Sequence, residues 1–119
     1  FRDNFNAESA ALAAVSLANI VDRSGRPLSA LVAPLRKYAR SGEINIRVKG
    51  DARAVLERVK ARYADGDPVE LDGVSISYPD WWCNVRVSNT EPLVRLNLEA
   101  VSREVMETRR DELLALIGG

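Results

Sequence analysis

The sequence contains no histidine and only one cysteine among its 119 residues. Without histidine, a serine–histidine–aspartate triad and a histidine-based metal site are excluded. The single cysteine, Cys83, cannot form a disulfide within the chain, which is typical of proteins from a reducing compartment. Because Cys83 lies on the apolar side of an alternating pattern, we interpret it as a buried structural thiol and not as a nucleophile.

The sequence also lacks an excess of charge and a long apolar run. Seventeen basic residues balance seventeen acidic residues, so no global field favours nucleic acid or an anionic membrane. The longest apolar-rich stretch, residues 10–21, is too short and too rich in alanine for a membrane span. No secretory signal pattern is present. We therefore expect a cytoplasmic protein that binds neither nucleic acid nor membrane.

Residues 1–40 and 41–119 are predicted to belong to different domains. In the first part, an alanine-rich run that Asn6 can cap and an apolar i, i+3, i+4, i+7 pattern over residues 28–35 predict two helices. Residues 38–43 are interpreted as a linker, with the boundary between residues 40 and 41. The chain does not begin with methionine, which favours a fragment that holds one domain and part of another.

The second part shows the pattern of a small α+β domain. Alternation over residues 44–48 predicts a strand, and Asp51 can cap the helix that follows. Asp72-Gly73 predicts a two-residue hairpin turn between two short strands. Two longer strands and a helix from Ser102 complete the domain. The order strand, helix, four strands, helix predicts an antiparallel sheet with both helices on one face.

Residues 86–95 concentrate the chemistry of an anion-binding site. If residues 89–92 form a four-residue hairpin loop, Ser88 pairs with Leu93 and Arg86 lies directly across from Arg95. Like charges that face each other destabilise a sheet, whereas a bound dianion between them would stabilise it. Guanidinium groups bind phosphate oxygens two at a time. The pattern predicts a phosphate site, although an ordinary hairpin with exposed arginines would read the same way.

The motif Arg-x-Ser-Asn-Thr-Glu-Pro-x-x-Arg over residues 86–95 also resembles a known loop. It is similar to the phosphate-binding loop in the last domain of the α-D-phosphohexomutases, particularly the phosphomannomutase/phosphoglucomutase group. The neighbouring residues 79–82 and 96–100 share the resemblance, which extends over the whole chain. It implies that residues 1–40 are the closing helices of the third, α/β domain, and that residues 41–119 are the C-terminal phosphate-binding domain.

The resemblance also implies a function. Enzymes of this family interconvert hexose 1-phosphate and hexose 6-phosphate through a phosphoserine and a bisphosphorylated intermediate. Their last domain holds the phosphate that is not reacting. Carried over by position, the residues that bind the substrate phosphate are Arg86, Ser88, Asn89, Thr90 and Arg95.

Several expectations about the rest of the enzyme follow from the resemblance. The full-length enzyme is expected to use Mg²⁺ and a sugar bisphosphate activator. A phosphosugar is the expected substrate, and upstream domains of the same enzyme are the expected partners. Nothing in the chain resembles the serine-bearing loop or the magnesium loop. We therefore expect the chain to bind phosphate, to contain neither catalytic nor metal-binding residues, and to be inactive alone.

Two other classes of function stay open at this level. A small sheet that exposes Trp82 beside Arg86 could bind single-stranded nucleic acid by stacking, although the absence of net positive charge weighs against it. The chain could also be a structural domain whose exposed sheet face docks a partner. In that case phosphate would leave the amides of residues 88–91 unchanged.

Overall fold

Among the described residues, two α-helices and a 3-10 helix precede a segment of six strands and two further α-helices. The computed structural model describes residues 1–2 and 5–118. Contacts divide the chain into two compact units, the first ending at Lys37 and the second beginning at Tyr38. None of the described helices is both long and apolar enough to span a membrane. The elements are α1 (Ala10–Ser24), α2 (Leu28–Val32), a 3-10 helix (Ala33–Leu35), β1 (Ala39–Arg40), β2 (Ile44–Arg47), α3 (Ala52–Arg62), β3 (Val69–Glu70), β4 (Val74–Ser77), β5 (Trp81–Val87), β6 (Leu93–Ala100) and α4 (Arg103–Gly118).

The first unit holds α1 and α2. Ser9 caps α1, because its hydroxyl accepts a hydrogen bond from the Leu12 N–H at 3.3 Å. The predicted cap, Asn6, is wrong, since Asn6 lies in a left-handed turn with a φ of 59°. Gly25, with a φ of 61°, ends the helix. No residue of α1 or α2 is buried, so the apolar side chains of both helices stay accessible.

The second unit contains a six-stranded antiparallel sheet in the order β1-β6-β5-β4-β3, and β2 also pairs with β6. From residue 43 onward, the predicted order of strand, helix, four strands and helix is confirmed. The predicted linker is wrong at Ala39 and Arg40, which form β1 and pair with the end of β6. The Ser41 hydroxyl adds to this pairing by accepting from the Leu98 N–H at 3.0 Å. Two residues are too few for a periodic pattern to reveal a strand.

The core lies between one face of the sheet and the helices α3 and α4, as predicted. Strand residues alternate sharply, because Trp81 and Cys83 are buried while Trp82 is 39% exposed. Cys83 is fully buried, as predicted, and burial raises the pKa of its thiol to about 12. The opposite face of the sheet carries the polar residues. Buried helix residues in the core are Val55, Val59, Met106, Leu113 and Ile117.

The hairpin between β3 and β4 has a three-residue loop, and the predicted two-residue turn is wrong. The ladder ends one residue earlier than predicted, so residues 71–73 all lie in the loop. Gly73 has a φ of 79°, the left-handed conformation that three-residue hairpin loops require. A Cβ at Gly73 would lie 2.3 Å from the Val85 carbonyl oxygen. The loop therefore packs directly on β5 and brings Asp72 to the open face of the sheet.

Candidate anion-binding site

The hairpin of β5 and β6 carries the predicted anion-binding residues. Arg86 and Arg95 are register partners, and the Ser88 N–H donates to the Leu93 carbonyl oxygen at 2.9 Å. The predicted register and the four-residue loop over residues 89–92 are confirmed. Because partners in a ladder point to the same face, both arginines lie on the open face of the sheet.

A cavity of about 200 Å³ lies beside this loop. Its volume is below the roughly 300–1,000 Å³ of drug-sized ligand pockets and suits a small anion. The Ser88 Oγ lies 3.4 Å from both the hydroxyl and the backbone nitrogen of Thr90, so hydroxyl and amide groups cluster on one side. All five predicted residues line the cavity, together with two others: Arg86, Ser88, Asn89, Thr90, Arg95, Asp72 and Val87.

A carboxylate that sequence analysis missed lies between the two arginines. Glu43 Oε2 accepts from Arg86 Nη2 at 3.1 Å, and Glu43 Oε1 lies 3.5 Å from Arg95 Nη1. This single carboxylate offsets the repulsion between the facing guanidiniums. Sequence analysis placed Glu43 in a linker, whereas the pairing of Asn45 with Arg95 brings it beside the site.

A second carboxylate reaches Arg86 from the β3–β4 loop. Asp72 Oδ2 lies 3.1 Å from Arg86 Nη1, and the Asp72 side chain is 78% exposed. The Asn84 side-chain amide donates to the Asp72 carbonyl oxygen at 2.9 Å and fixes the backbone of the loop. Hydrogen bonds raise the pKa of Arg86, the one to Glu43 most and the one to Asp72 next. The guanidinium therefore stays charged.

These two carboxylates leave part of the arginine pair unsatisfied. The Nε atoms of Arg86 and Arg95 are shielded from solvent and have no hydrogen-bond partner among the described residues. A buried donor without a partner is unfavourable. Both Nε donors therefore stay unsatisfied and closed to solvent in this arrangement.

A larger cavity of about 620 Å³ covers the open face of the sheet and shares Asp72 and Arg86 with the smaller one. Trp82 lies on this face with Arg86, as predicted, but its indole N–H donates to Glu99 at 3.4 Å. Glu99 also pairs with Arg40 at 3.0 Å. The acidic side chains Asp72 and Glu99 balance Arg40 and Arg86 in this cavity, so it has no excess of positive charge to attract a polyanion such as single-stranded nucleic acid.

The sequence of this small α+β domain has a counterpart among known proteins. Residues 43–116 match the family model described as "Phosphoglucomutase/phosphomannomutase, C-terminal domain". The chain belongs to this family, and the matched region is the family's C-terminal domain.

Individual relatives agree with this assignment. A phosphomannomutase from Methanocaldococcus jannaschii is 43% identical over 110 residues, which are 92% of this chain and 24% of that protein. A protein from Xanthomonas campestris pv. campestris named "Phosphohexose mutases" is 43% identical over 124 residues, covering 100% of this chain and 27% of its own length. A solved structure of a phosphoglucomutase/phosphomannomutase family protein from Burkholderia thailandensis aligns with a TM-score of 0.57 at 26% identity, covering 74% of this chain and 19% of that one. The chain therefore spans about a quarter of the length of the curated relatives it matches.

Proposed function

We propose that residues 86–95 bind the phosphate group of a phosphorylated hexose, within an enzyme that interconverts hexose 1-phosphate and hexose 6-phosphate. The observation that carries the proposal is the convergence of Arg86 and Arg95 with hydroxyl and amide donors on one small cavity. Charge-assisted hydrogen bonds from two guanidiniums suit a dianionic phosphate. The names of the relatives, which refer to mutases of phosphorylated hexoses, support this class of substrate.

In this proposal, the domain holds the phosphate that is not reacting while the other end of the sugar meets a phosphoserine. Upstream domains of the same enzyme would be its partners, and the cytoplasm its compartment. Mg²⁺ and a sugar bisphosphate activator would serve the full-length enzyme. The described residues contain no group of three or more His, Cys, Asp or Glu side chains that could hold a metal ion. They do not fit a magnesium site, and we assign no step of the reaction to magnesium here.

An amide-resolved titration with a hexose 6-phosphate tests the proposal. Amides of residues 88–91 should shift in the wild type and stay unchanged in Arg86→Ala. Arg110→Ala is a matched control, because Arg110 is 32% exposed against 33% for Arg86 and also pairs with a carboxylate, Asp111. If no loop amide shifts in the wild type, or if Arg86→Ala keeps the shifts, the proposal fails.

Thermal unfolding gives the expected size of the effect. An isolated domain supplies only part of the enzyme's contacts with its substrate. We therefore expect a dissociation constant of roughly 1 mM for phosphate, which is a binding free energy of about 4 kcal/mol. Phosphate at about ten times this value should stabilise the fold by about 1.4 kcal/mol and raise Tm on the order of 4 °C. Arg86→Ala should lose this gain and keep its ligand-free fold. Chloride at equal ionic strength controls for screening.

A further inference from the structure

We propose that Asp72 is an internal competitor that phosphate displaces from Arg86. Binding would then exchange one anion for another at the Arg86 guanidinium. The inference rests on the proposed phosphate site, and it adds a residue that sets the affinity and the release of the ligand.

The position of Asp72 makes the two anions compete. Asp72 lines the cavity beside the loop, and its carboxylate already accepts a hydrogen bond from Arg86 Nη1 at 3.1 Å. Arg86 Nη2 donates to Glu43 at 3.1 Å, and Arg86 Nε is shielded from solvent. An arriving phosphate therefore meets a guanidinium whose two terminal nitrogens each bind a carboxylate, and the negative charge of Asp72 repels it.

Asp72 and Glu43 differ in how easily they leave Arg86. The Asp72 side chain is 78% exposed and has one ion pair, so its release to water costs little. The Glu43 side chain is 37% exposed and bridges two arginines. Glu43 is also absent from the residues that line the loop cavity. Phosphate should therefore displace Asp72 and leave Glu43 in place.

The backbone around Asp72 keeps the displaced carboxylate close to the site. Close packing of Gly73 on Val85 and the hydrogen bond from Asn84 to the Asp72 carbonyl fix the loop. Only the side chain has to rotate, so the carboxylate returns at high effective concentration when phosphate loosens. This arrangement weakens the hold on phosphate and speeds its release.

Inorganic phosphate and the variant Asp72→Asn test the inference. Asparagine keeps the size and the turn preference of aspartate and removes the charge. At constant ionic strength, the dissociation constant of Asp72→Asn for phosphate should fall about two- to fivefold, the range expected for losing one exposed ion pair that competes with the ligand. The gain should appear as slower dissociation in the line shapes of the loop amides.

Two further measurements separate displacement from a general effect of charge. Glu91→Gln removes a negative charge from the β5–β6 loop, which borders the same cavity. Glu91 forms no ion pair within the described residues. This control should increase phosphate affinity less than Asp72→Asn does. In the wild type, the side-chain carboxyl carbon signal of Asp72 should shift on phosphate addition much more than that of Glu43.

The possible outcomes distinguish this inference from the proposed function. Equal or weaker phosphate binding by Asp72→Asn would overturn the inference and identify Asp72 as a residue that positions Arg86. An equal gain in Glu91→Gln would also overturn it, because a long-range field would then explain the effect. In both cases the proposed phosphate site stands if Arg86→Ala still abolishes binding. If neither the wild type nor Asp72→Asn binds phosphate, both proposals fail.

Discussion

At the scale of single residues, one glutamate decides how two arginines coexist on neighbouring strands. Glu43 spans the 3.1 Å and 3.5 Å gaps to Arg86 and Arg95, which are register partners. Facing like charges destabilise a ladder, so the bridging carboxylate makes two facing guanidiniums compatible with a stable sheet.

Replacing this glutamate should expose the repulsion. We expect Glu43→Gln to lower Tm at low salt by about 1–4 °C, because the arginines then face each other without a bridging charge. Added sodium chloride should raise Tm of the variant relative to the wild type, since screening weakens repulsion in the variant and attraction in the wild type. Thermal scans at low and high sodium chloride measure both effects.

Glu107→Gln is the control for this experiment, because Glu107 pairs only with Arg103, at 3.7 Å on the helix α4. Added sodium chloride should not raise the Tm of Glu107→Gln relative to that of the wild type. A salt response of Glu43→Gln that equals that of Glu107→Gln would contradict the bridging role.

The candidate phosphate-binding residues could be predicted from the sequence, whereas the two carboxylates beside them could not. Arg86, Ser88 and Arg95 lie on one short hairpin, where alternation and loop length fix which residues share a face. Glu43 contacts Arg86 across 43 positions and Asp72 across 14. Contacts at such separations depend on which strands become neighbours, and no local pattern encodes that choice.

At the scale of elements, the β3–β4 loop shows how tertiary contacts override a strong local signal. Asp72-Gly73 is a typical two-residue turn, but the loop takes three residues because it packs on the backbone of β5. The difference changes the surroundings of Arg86, since the longer loop is the one that carries the Asp72 carboxylate to its guanidinium.

The contact of this loop with β5 can be tested at Gly73. Gly73→Ala should destabilise the fold by about 2–5 kcal/mol, combining left-handed strain with a clash against Val85 and Arg86. Gly42→Ala is the matched control, because Gly42 has a similar φ of 69° and no atom within 4 Å of an added Cβ. Gly42→Ala should lower the free energy of unfolding by only about 1–2 kcal/mol. Urea unfolding gives both values, and equal losses would refute the close approach.

At the scale of the whole molecule, the two compact units differ in how much they bury. All buried apolar residues belong to the second unit among the described residues, while Val15 and Ile20 of α1 are 59% and 53% exposed. Local opening is easier where few apolar contacts must break. The assignment of residues 1–40 to a third domain and of residues 41–119 to a C-terminal domain stays a proposal, whereas by contacts residues 38–40 belong to the second unit.

Hydrogen exchange should reveal this difference in stability. At low protein concentration, amides of α1 should exchange faster than those of β4, β5 and β6, which need global unfolding to open. Protection of α1 that grows with concentration would indicate that a second copy covers its apolar side chains. Uniform protection of both units in a monomer would refute the prediction.

The catalytic activity of the isolated chain is a second prediction at the scale of the whole molecule. The chain alone should show no mutase activity, because the phosphoserine loop and the magnesium loop implied by the family resemblance have no counterpart in its sequence. A coupled assay with magnesium, a sugar bisphosphate and a hexose 1-phosphate should give background rates. Turnover that follows the chain through purification and disappears in Arg86→Ala would contradict this expectation.

Most of the second unit was predictable because its elements are long enough to show a period. The strands β5 and β6 alternate over seven and eight residues, and α3 carries an apolar stripe over eleven. The strand β1 has two residues, too few for any period. Only its pairing with the end of β6 identifies it.

The place of β1 has a consequence for where this protein can be divided. The family match begins at residue 43, yet Ala39 and Arg40 already pair with Ala100 and Glu99. A chain trimmed to the matched residues would leave N–H and C=O groups at the end of β6 open, and such an edge recruits strands from other molecules. The residues just before the matched domain cover this edge, and we expect a chain cut after them to aggregate more readily than one cut before them.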